Sequence, residues 1–184
     1  MITLPGVPTL LEKLDGKLWH EITFPQGDCY GSKIFFNEDV NFGLNSNIIN
    51  GSLCPGQGFR ISRISLMPAL NALQSDVDTL MSNSYFSFDS ATRSWYSGPA
   101  QVFYKSSKSM DYVLSSIKKL PKKAQLSILE NIKTPSGMEI SPPHELLSLE
   151  HFRGRFTIPH IVRLKKEVKL TCLLEGKLLR QILS

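Results

Sequence analysis

Apolar and polar residues alternate along several short stretches of this chain, the period-two signature of half-buried β-strands. The pattern is cleanest near the C-terminus. Phe152, Gly154, Phe156 and Ile158 alternate up to Pro159, which is expected to interrupt the strand. Val168, Leu170, Cys172 and Leu174 alternate next, and Leu178 and Ile182 keep the same parity after Gly176. Upstream, a strand is predicted from Leu18 to Phe24, stopped by Pro25-Gln26-Gly27, and a shorter one from Lys33 to Phe36. Asn41 to Gly58 is rich in turn-forming residues, with Ile48 and Ile49 as a short buried piece. Ser84 to Phe88 reads as a strand, followed by a turn at Asp89-Ser90 and a second strand from Arg93 to Tyr96. Gly98-Pro99 breaks the pattern, and Ala100, Val102 and Tyr104 alternate again.

Phe59 to Met67 carries a conflict. Phe59 and Ile61 share one parity, whereas Ile64 and Leu66 share the other. A regular strand cannot bury both pairs on one face. A bulge near Ser62-Arg63, adding one residue, reconciles them.

Helical signals are fewer. Thr9-Leu10-Leu11-Glu12 has capping-box spacing and predicts a short helix ended by Gly16. Ala69, Leu73, Val77 and Leu80 form a helical stripe between Pro68 and Met81. Residues 109–132 read as two helices joined at Pro121, and Ser141-Pro142-Pro143 is expected to open another from Glu145 to Leu149. Short strands separated by turn signals indicate a mainly β sandwich or barrel, not repeated βαβ units. One domain over 1–184 is expected, with a helical insertion at about 105–150.

The 184 residues, 41% hydrophobic and 20% charged, have ordinary globular composition and sufficient length to bury a core without covalent staples. The formal charge of +5 is unevenly placed. Residues 1–104 carry six Lys/Arg against nine Asp/Glu, 105–133 seven lysines against two acids, and 134–184 eight basic residues against five acidic. Three cysteines without a CxxC pair argue against a disulfide framework or a structural zinc site. The first residues lack the basic and apolar regions of a secretory signal, and no apolar run reaches membrane-spanning length. Folding in a reducing cytoplasm is expected.

Candidate chemistry is sparse. Cys54, before Pro55-Gly56-Gln57-Gly58, needs a base to become a nucleophile and otherwise reads as a small buried turn residue. His144-Glu145 and Glu150-His151 lack HExxH spacing and read as polar helix ends. Gly56-Gln57-Gly58 lacks the Lys-Ser/Thr of a phosphate loop and reads as a turn into the Phe59 strand. Glu38-Asp39 and Asp76/Asp78 are local acid pairs, without the cross-cleft separation that glycosidases use. No catalytic residue, metal or cofactor is expected. The strongest positive signal is basic: Lys118, Lys119, Lys122 and Lys123, with Arg153, Arg155, Arg163, Lys165, Lys166 and Lys169. Such residues give salt-dependent contact with nucleic-acid phosphates or lipid headgroups.

Three segments together resemble the jelly-roll capsid proteins of non-tailed bacteriophages, membrane-containing or with single-stranded DNA. They are Gly58-Phe59-Arg60-Ile61-Ser62-Arg63-Ile64; Tyr85-Phe86-Ser87-Phe88 through Trp95-Tyr96-Ser97-Gly98-Pro99-Ala100-Gln101-Val102-Phe103; and Val168 through Arg180 with its internal Gly176. The resemblance implies a single jelly-roll-like β-sandwich serving as a non-enzymatic, self-assembling virion subunit, of minor or vertex (penton) type or a small major one. It implies a homo-oligomer among other capsid subunits, with a basic face toward packaged nucleic acid or an internal membrane and no small-molecule substrate. The alternatives are a nucleic-acid-binding β-domain and a sugar-binding or hydrolytic sandwich.

Overall fold

The computed structural model describes residues 11–37, 43–48, 50–91, 93–104 and 137–181. These residues form strands β1 (Leu11–Phe24), β2 (Gly27–Phe35), β3 (Gln57–Pro68), β4 (Tyr85–Ser90), β5 (Arg93–Pro99), β6 (Met138–Leu146), β7 (Phe152–Leu164) and β8 (Val168–Gln181), and helices α1 (Gln74–Ser82) and α2 (Ala100–Phe103). Pairing is antiparallel throughout: β1 with β8, β2 with β7, β3 with β6, and β4 with β5. The chain is thus a long ribbon folded back on itself, with the β4–β5 hairpin at its tip. Successive pairs go to alternate layers. One sheet runs β1-β8-β3-β6 and the other β2-β7-β4-β5, closed by the contacts β3·β8 and β4·β7.

The core lies between the two sheets and is dominated by phenylalanine. Phe24, Phe35, Phe59, Phe86, Phe88 and Phe156 are essentially inaccessible. Their rings pack tilted or edge-on, with centroids 5.2 Å apart for Phe24 and Phe156 and 4.9 Å for Phe86 and the α2 residue Phe103. Aromatic quadrupoles favour such geometry over face-to-face stacking. Each buried ring contributes roughly 1.5–3 kcal/mol of transfer free energy. Gly16 and Gly176 face each other across β1 and β8, and the Phe59 ring lies against them. A Cβ on Gly176 would stand 2.0 Å from the Arg60 carbonyl oxygen.

The bulge expected in β3 is present. Between Ile61 and Arg63 the register slips against Gly176 and Glu175 of β8, leaving Ser62 as the extra residue. Its hydroxyl donates to the Glu175 carbonyl at 3.1 Å. Phe59, Ile61, Ile64 and Leu66 are all fully buried as a result. Gly56, just before β3, sits in the turn read from the sequence.

Five expectations are corrected. Leu11–Gly16 is strand, not the end of a capped helix, because pairing with β8 extends along the whole of β1. The β4–β5 turn falls after Ser90 instead of at Asp89-Ser90. Ala100–Phe103 is one helical turn, which buries Ala100 and Phe103 together. Ser141-Pro142-Pro143 does not open a helix over Glu145–Leu149. It lies inside β6, where residues 140–143 arch away from β3 between the pairs Arg63–Glu139 and Ile61–His144. Pro159 does not end β7; it sits where 159–161 bulge out between Ile158 and Val162, opposite Tyr30 of β2. A bulge on that side needs no ladder N–H, so proline is tolerated there. The helical stripe after Pro68 survives as α1, with Val77 and Leu80 buried. The two helices read over 109–132 lie outside the described residues.

The loop after β2 closes one edge of the sandwich. Residues 45–47 lie along β1, with Glu21 N–H donating to Asn45 at 2.7 Å and Asn47 N–H to Trp19 at 3.2 Å. The Asn47 side chain accepts from Trp19 N–H and donates to the Lys17 carbonyl, both at 2.7 Å. Beneath them His20 is buried at 3% exposure, and its Nδ1 accepts from Phe36 N–H. An imidazole accepting at Nδ1 must be neutral. Burial accordingly holds its pKa down at about 4.

Candidate functional surfaces

Of the basic residues singled out from the sequence, those among the described residues do not converge into one patch. Lys118, Lys119, Lys122 and Lys123 lie outside the described residues. Arg153 and Arg155 project from the outer face of β7, and Lys165 and Lys166 occupy the β7–β8 turn. At about 3.3 Å of rise per residue, the two pairs are separated by on the order of 35 Å. Acids engage several of them: Arg153 meets Asp89 at 3.3 Å, Arg163 meets Asp28 at 3.7 Å, and Lys169 meets Glu21 at 3.8 Å. The turn carrying Lys165 and Lys166 is held by α1, whose buried Asp76 accepts the Lys166 backbone N–H at 2.8 Å. That is a structural use for one of the local acid pairs.

A clearer pattern concerns where the net charge resides. Residues 105–136 contain seven lysines and two acids, so the segment carries +5 and the remainder of the chain is formally neutral. The residues flanking it are joined: Gly137 N–H donates to the Tyr104 carbonyl at 3.1 Å, and Tyr104 bridges to Leu66 near the end of β3. In sequence, the whole excess charge falls between two residues that meet at one end of the sandwich.

The outer face of the β1-β8-β3-β6 sheet is charged but balanced. Lys17, Glu175, Arg63 and Glu139 form one row across all four strands, with Lys17–Glu175 at 3.7 Å and Arg63–Glu139 at 2.5 Å. Asp15, Lys177, Arg60 and Glu145 form the next, with Asp15–Lys177 at 2.6 Å and Arg60–Glu145 at 3.7 Å. Cross-strand pairs of opposite sign each contribute roughly 0.2–1 kcal/mol, and they fix strand register more than they add stability. An open depression of about 760 Å³ overlies these rows beside the β6 arch.

The other candidates resolve into structural roles or remain singletons. His144 faces inward on β6, its Nε2 3.1 Å from the Ser90 hydroxyl and its ring 4.3 Å from that of Trp95. Burial lowers its pKa, opposed by the Glu150 carboxylate. Ser90 is 1% exposed, so this Ser–His contact ties β6 to β4 and keeps the hydroxyl away from solvent. His144 and His151 lie in a strand and after a turn, not at helix ends. Cys172 is core, as its parity indicates, and burial pushes its thiol pKa far up. Cys54 is exposed, contrary to its reading as a buried turn residue, because Cys54 and Pro55 ride on the surface of the turn before β3. Among the described residues no cluster of His, Cys, Asp or Glu could hold a metal ion, and no helix is long and apolar enough to cross a membrane. Glu38 and Asp39 lie outside the described residues.

Fold and surfaces together define a mainly β protein of two face-to-face, four-stranded antiparallel sheets. No protein-family model, curated protein or solved structure matches the chain.

Proposed function

We propose that the chain is a single jelly roll acting as a structural, self-assembling subunit, a virion capsid component of penton, vertex or minor type. One observation carries this reading: the strand order β1-β8-β3-β6 against β2-β7-β4-β5. Eight antiparallel strands, paired first with last toward a central hairpin and wrapped into two sheets, support a jelly-roll reading, an architecture that viral capsid and lectin domains use. The segments that resemble phage capsid proteins fall on its defining parts. They are the bulged β3, the β4–β5 hairpin at the ribbon's tip, and the closing strand β8. Fold alone does not assign function. Exposed apolar side chains at both ends of the sandwich, Leu70 and Val102 at one and Leu147 and Leu149 at the other, suit contacts with neighbouring subunits. Light scattering and negative-stain microscopy across concentrations test the proposal. Closed, discrete oligomers are expected; a monomer at every concentration overturns it.

The placement of charge favours a second reading, in which the protein contacts a polyanion, packaged nucleic acid or an anionic membrane, through residues 105–136. All of the formal +5 enters the fold between Tyr104 and Gly137. Replacing Lys118, Lys119, Lys122 and Lys123 with Glu should abolish binding to single-stranded DNA. Wild-type affinity should fall steeply with salt, because phosphate contacts release counterions. Affinity indifferent to salt refutes this reading.

A further inference from the structure

The end of the sandwich remote from the Tyr104–Gly137 junction holds a second depression, of about 340 Å³. It is lined by Ile34, Phe36, Asn37, Asn50, Asp89, Ala91, His151, Phe152 and Arg153. β4 spans the distance between the two ends: Ser84 accepts from Ala100 N–H at one, and Ala91 N–H donates to the His151 carbonyl at the other. The volume lies at the small end of ligand sites, which run from about 300 to 1,000 Å³.

Four chain segments interlock to form this depression. Phe152 N–H donates to the Gly51 carbonyl at 2.8 Å, and Ser52 bridges to His151. Gly51, at φ 58°, is pressed so close to the Phe36 and Phe152 carbonyls that a Cβ would stand 2.2 Å and 2.8 Å from their oxygens. Three residues of the lining, Phe36, Asn50 and Ala91, hold left-handed backbone at φ 60°, 53° and 51°. For phenylalanine and alanine this costs about 1 kcal/mol or more each, and such strain concentrates at functional sites. The walls are therefore preformed.

The polar groups are mixed in kind and balanced in charge. His151 Nδ1 lies 3.2 Å from the Asn50 carbonyl, which can only accept, so Nδ1 carries a proton and donates to it. The Asp89 carboxylate accepts from Arg153 Nε at 3.3 Å, which cancels the charge while the guanidinium retains terminal N–H donors. Asn37 and Asn50 add amides that both donate and accept, and Ile34 and Ala91 supply apolar wall. An anion site would show uncancelled positive charge, and a lipid site few polar groups. Paired charges and amides able both to donate and to accept, beside a small apolar surface, match adjacent hydroxyls on an uncharged ring.

We infer that this depression binds a neutral saccharide, a hexose or hexosamine unit, at the end of the sandwich opposite the Tyr104–Gly137 junction. The inference is independent of whether the chain assembles. It is tested on the full chain by following backbone amide NMR signals during titration with mannose, galactose, glucose and N-acetylglucosamine, with inorganic phosphate in parallel. The expected result is saturable shifts at Asp89, Ala91, His151 and Arg153 with at least one sugar and none with phosphate. Arg153→Ala, checked for folding by circular dichroism, should weaken that sugar at least tenfold. Asn50→Gly, which keeps the left-handed backbone and removes the amide, should weaken it several-fold. No saturable shift with any of the four sugars, or saturation by phosphate alone, overturns the proposal. So does undiminished affinity in both variants.

Discussion

His20 makes stability depend on pH with a sign and size that follow from its surroundings. In the folded chain the ring is buried between Phe35 and Phe36, with centroids 6.0 Å and 5.8 Å away, and Nδ1 accepts the Phe36 N–H. Protonation would bury a charge and turn that acceptor into a second donor facing a donor. The pKa therefore falls from the ordinary 6.5 to about 4. Between these values the unfolded chain takes up a proton that the folded chain refuses, so stability falls as the pH falls. The effect is absent above pH 6.5 and complete below about 4. At about 1.4 kcal/mol per pH unit the loss is about 2 kcal/mol by pH 5, with a ceiling of about 3 kcal/mol.

His20→Asn separates this linkage from packing. The Asn Oδ1 takes the place of Nδ1 and can still accept from Phe36, but it does not titrate. Urea unfolding, followed through Trp19 and Trp95 fluorescence at pH 7.5, 6 and 5, is the assay. The variant should be less stable than wild type at pH 7.5, by about 1–2 kcal/mol for lost ring packing, and the gap should close or reverse by pH 5. His144 is also held below its ordinary pKa and adds loss of the same sign in both proteins. Only the difference between the two curves bears on His20. Parallel loss of stability in wild type and variant would refute the reasoning.

Three further predictions rest on single contacts. Gly176→Ala should destabilise by about 2–3 kcal/mol or prevent folding, because its Cβ would collide with the Arg60 carbonyl; thermal denaturation reads this directly. Asp76→Ala should cost about 1–3 kcal/mol by leaving the Lys166 N–H without its acceptor, and Asp76→Asn, which keeps an acceptor, should recover most of it in urea unfolding. A thiol reagent should modify Cys54 rapidly in native protein and reach the buried Cys29 and Cys172 only in denaturant.

Local pattern revealed the parts of this fold that are decided locally. The alternation in β7 and β8 and the split parity of Phe59–Leu66 were legible because burial on one face imposes the period. The helix expected from Thr9 to Gly16 shows the limit: Thr9–Glu12 has capping-box spacing, but Leu11–Gly16 pairs with Gly176–Gln181, 160 to 170 residues away. Pro142-Pro143 misled for the same reason, since an arch in an edge strand and a helix start share the same proline signal. The candidate saccharide site was largely invisible in sequence. Arg153 was singled out as a generic cation and His151 as one member of a failed metal pattern. Nothing local ties either to Asp89 or Asn50, which approach only through the order of strands in the β2-β7-β4-β5 sheet and the loop beneath it.

The same strand order bears on how subunits could meet. An open sandwich has four edge strands, here β1, β6, β2 and β5, and each is guarded against strand addition. β1 is covered from Lys17 to Glu21 by residues 45–47. β6 carries Pro142 and Pro143, which offer no N–H. β2 is bent at Gly31, at φ 89°, and carries the exposed Lys33, its ammonium 5.5 Å from the centre of the buried Phe24 ring. β5 shifts register at Trp95 and ends in Pro99. Pairing edge to edge would leave these groups unsatisfied or buried with their charge. The outer face of the β1-β8-β3-β6 sheet is already balanced within itself by its two rows of ion pairs. What stays open to the proposed assembly is the outer face of the β2-β7-β4-β5 sheet and the two ends, where Leu70, Val102, Leu147 and Leu149 are exposed and where loops can vary without disturbing the ribbon that builds the sandwich.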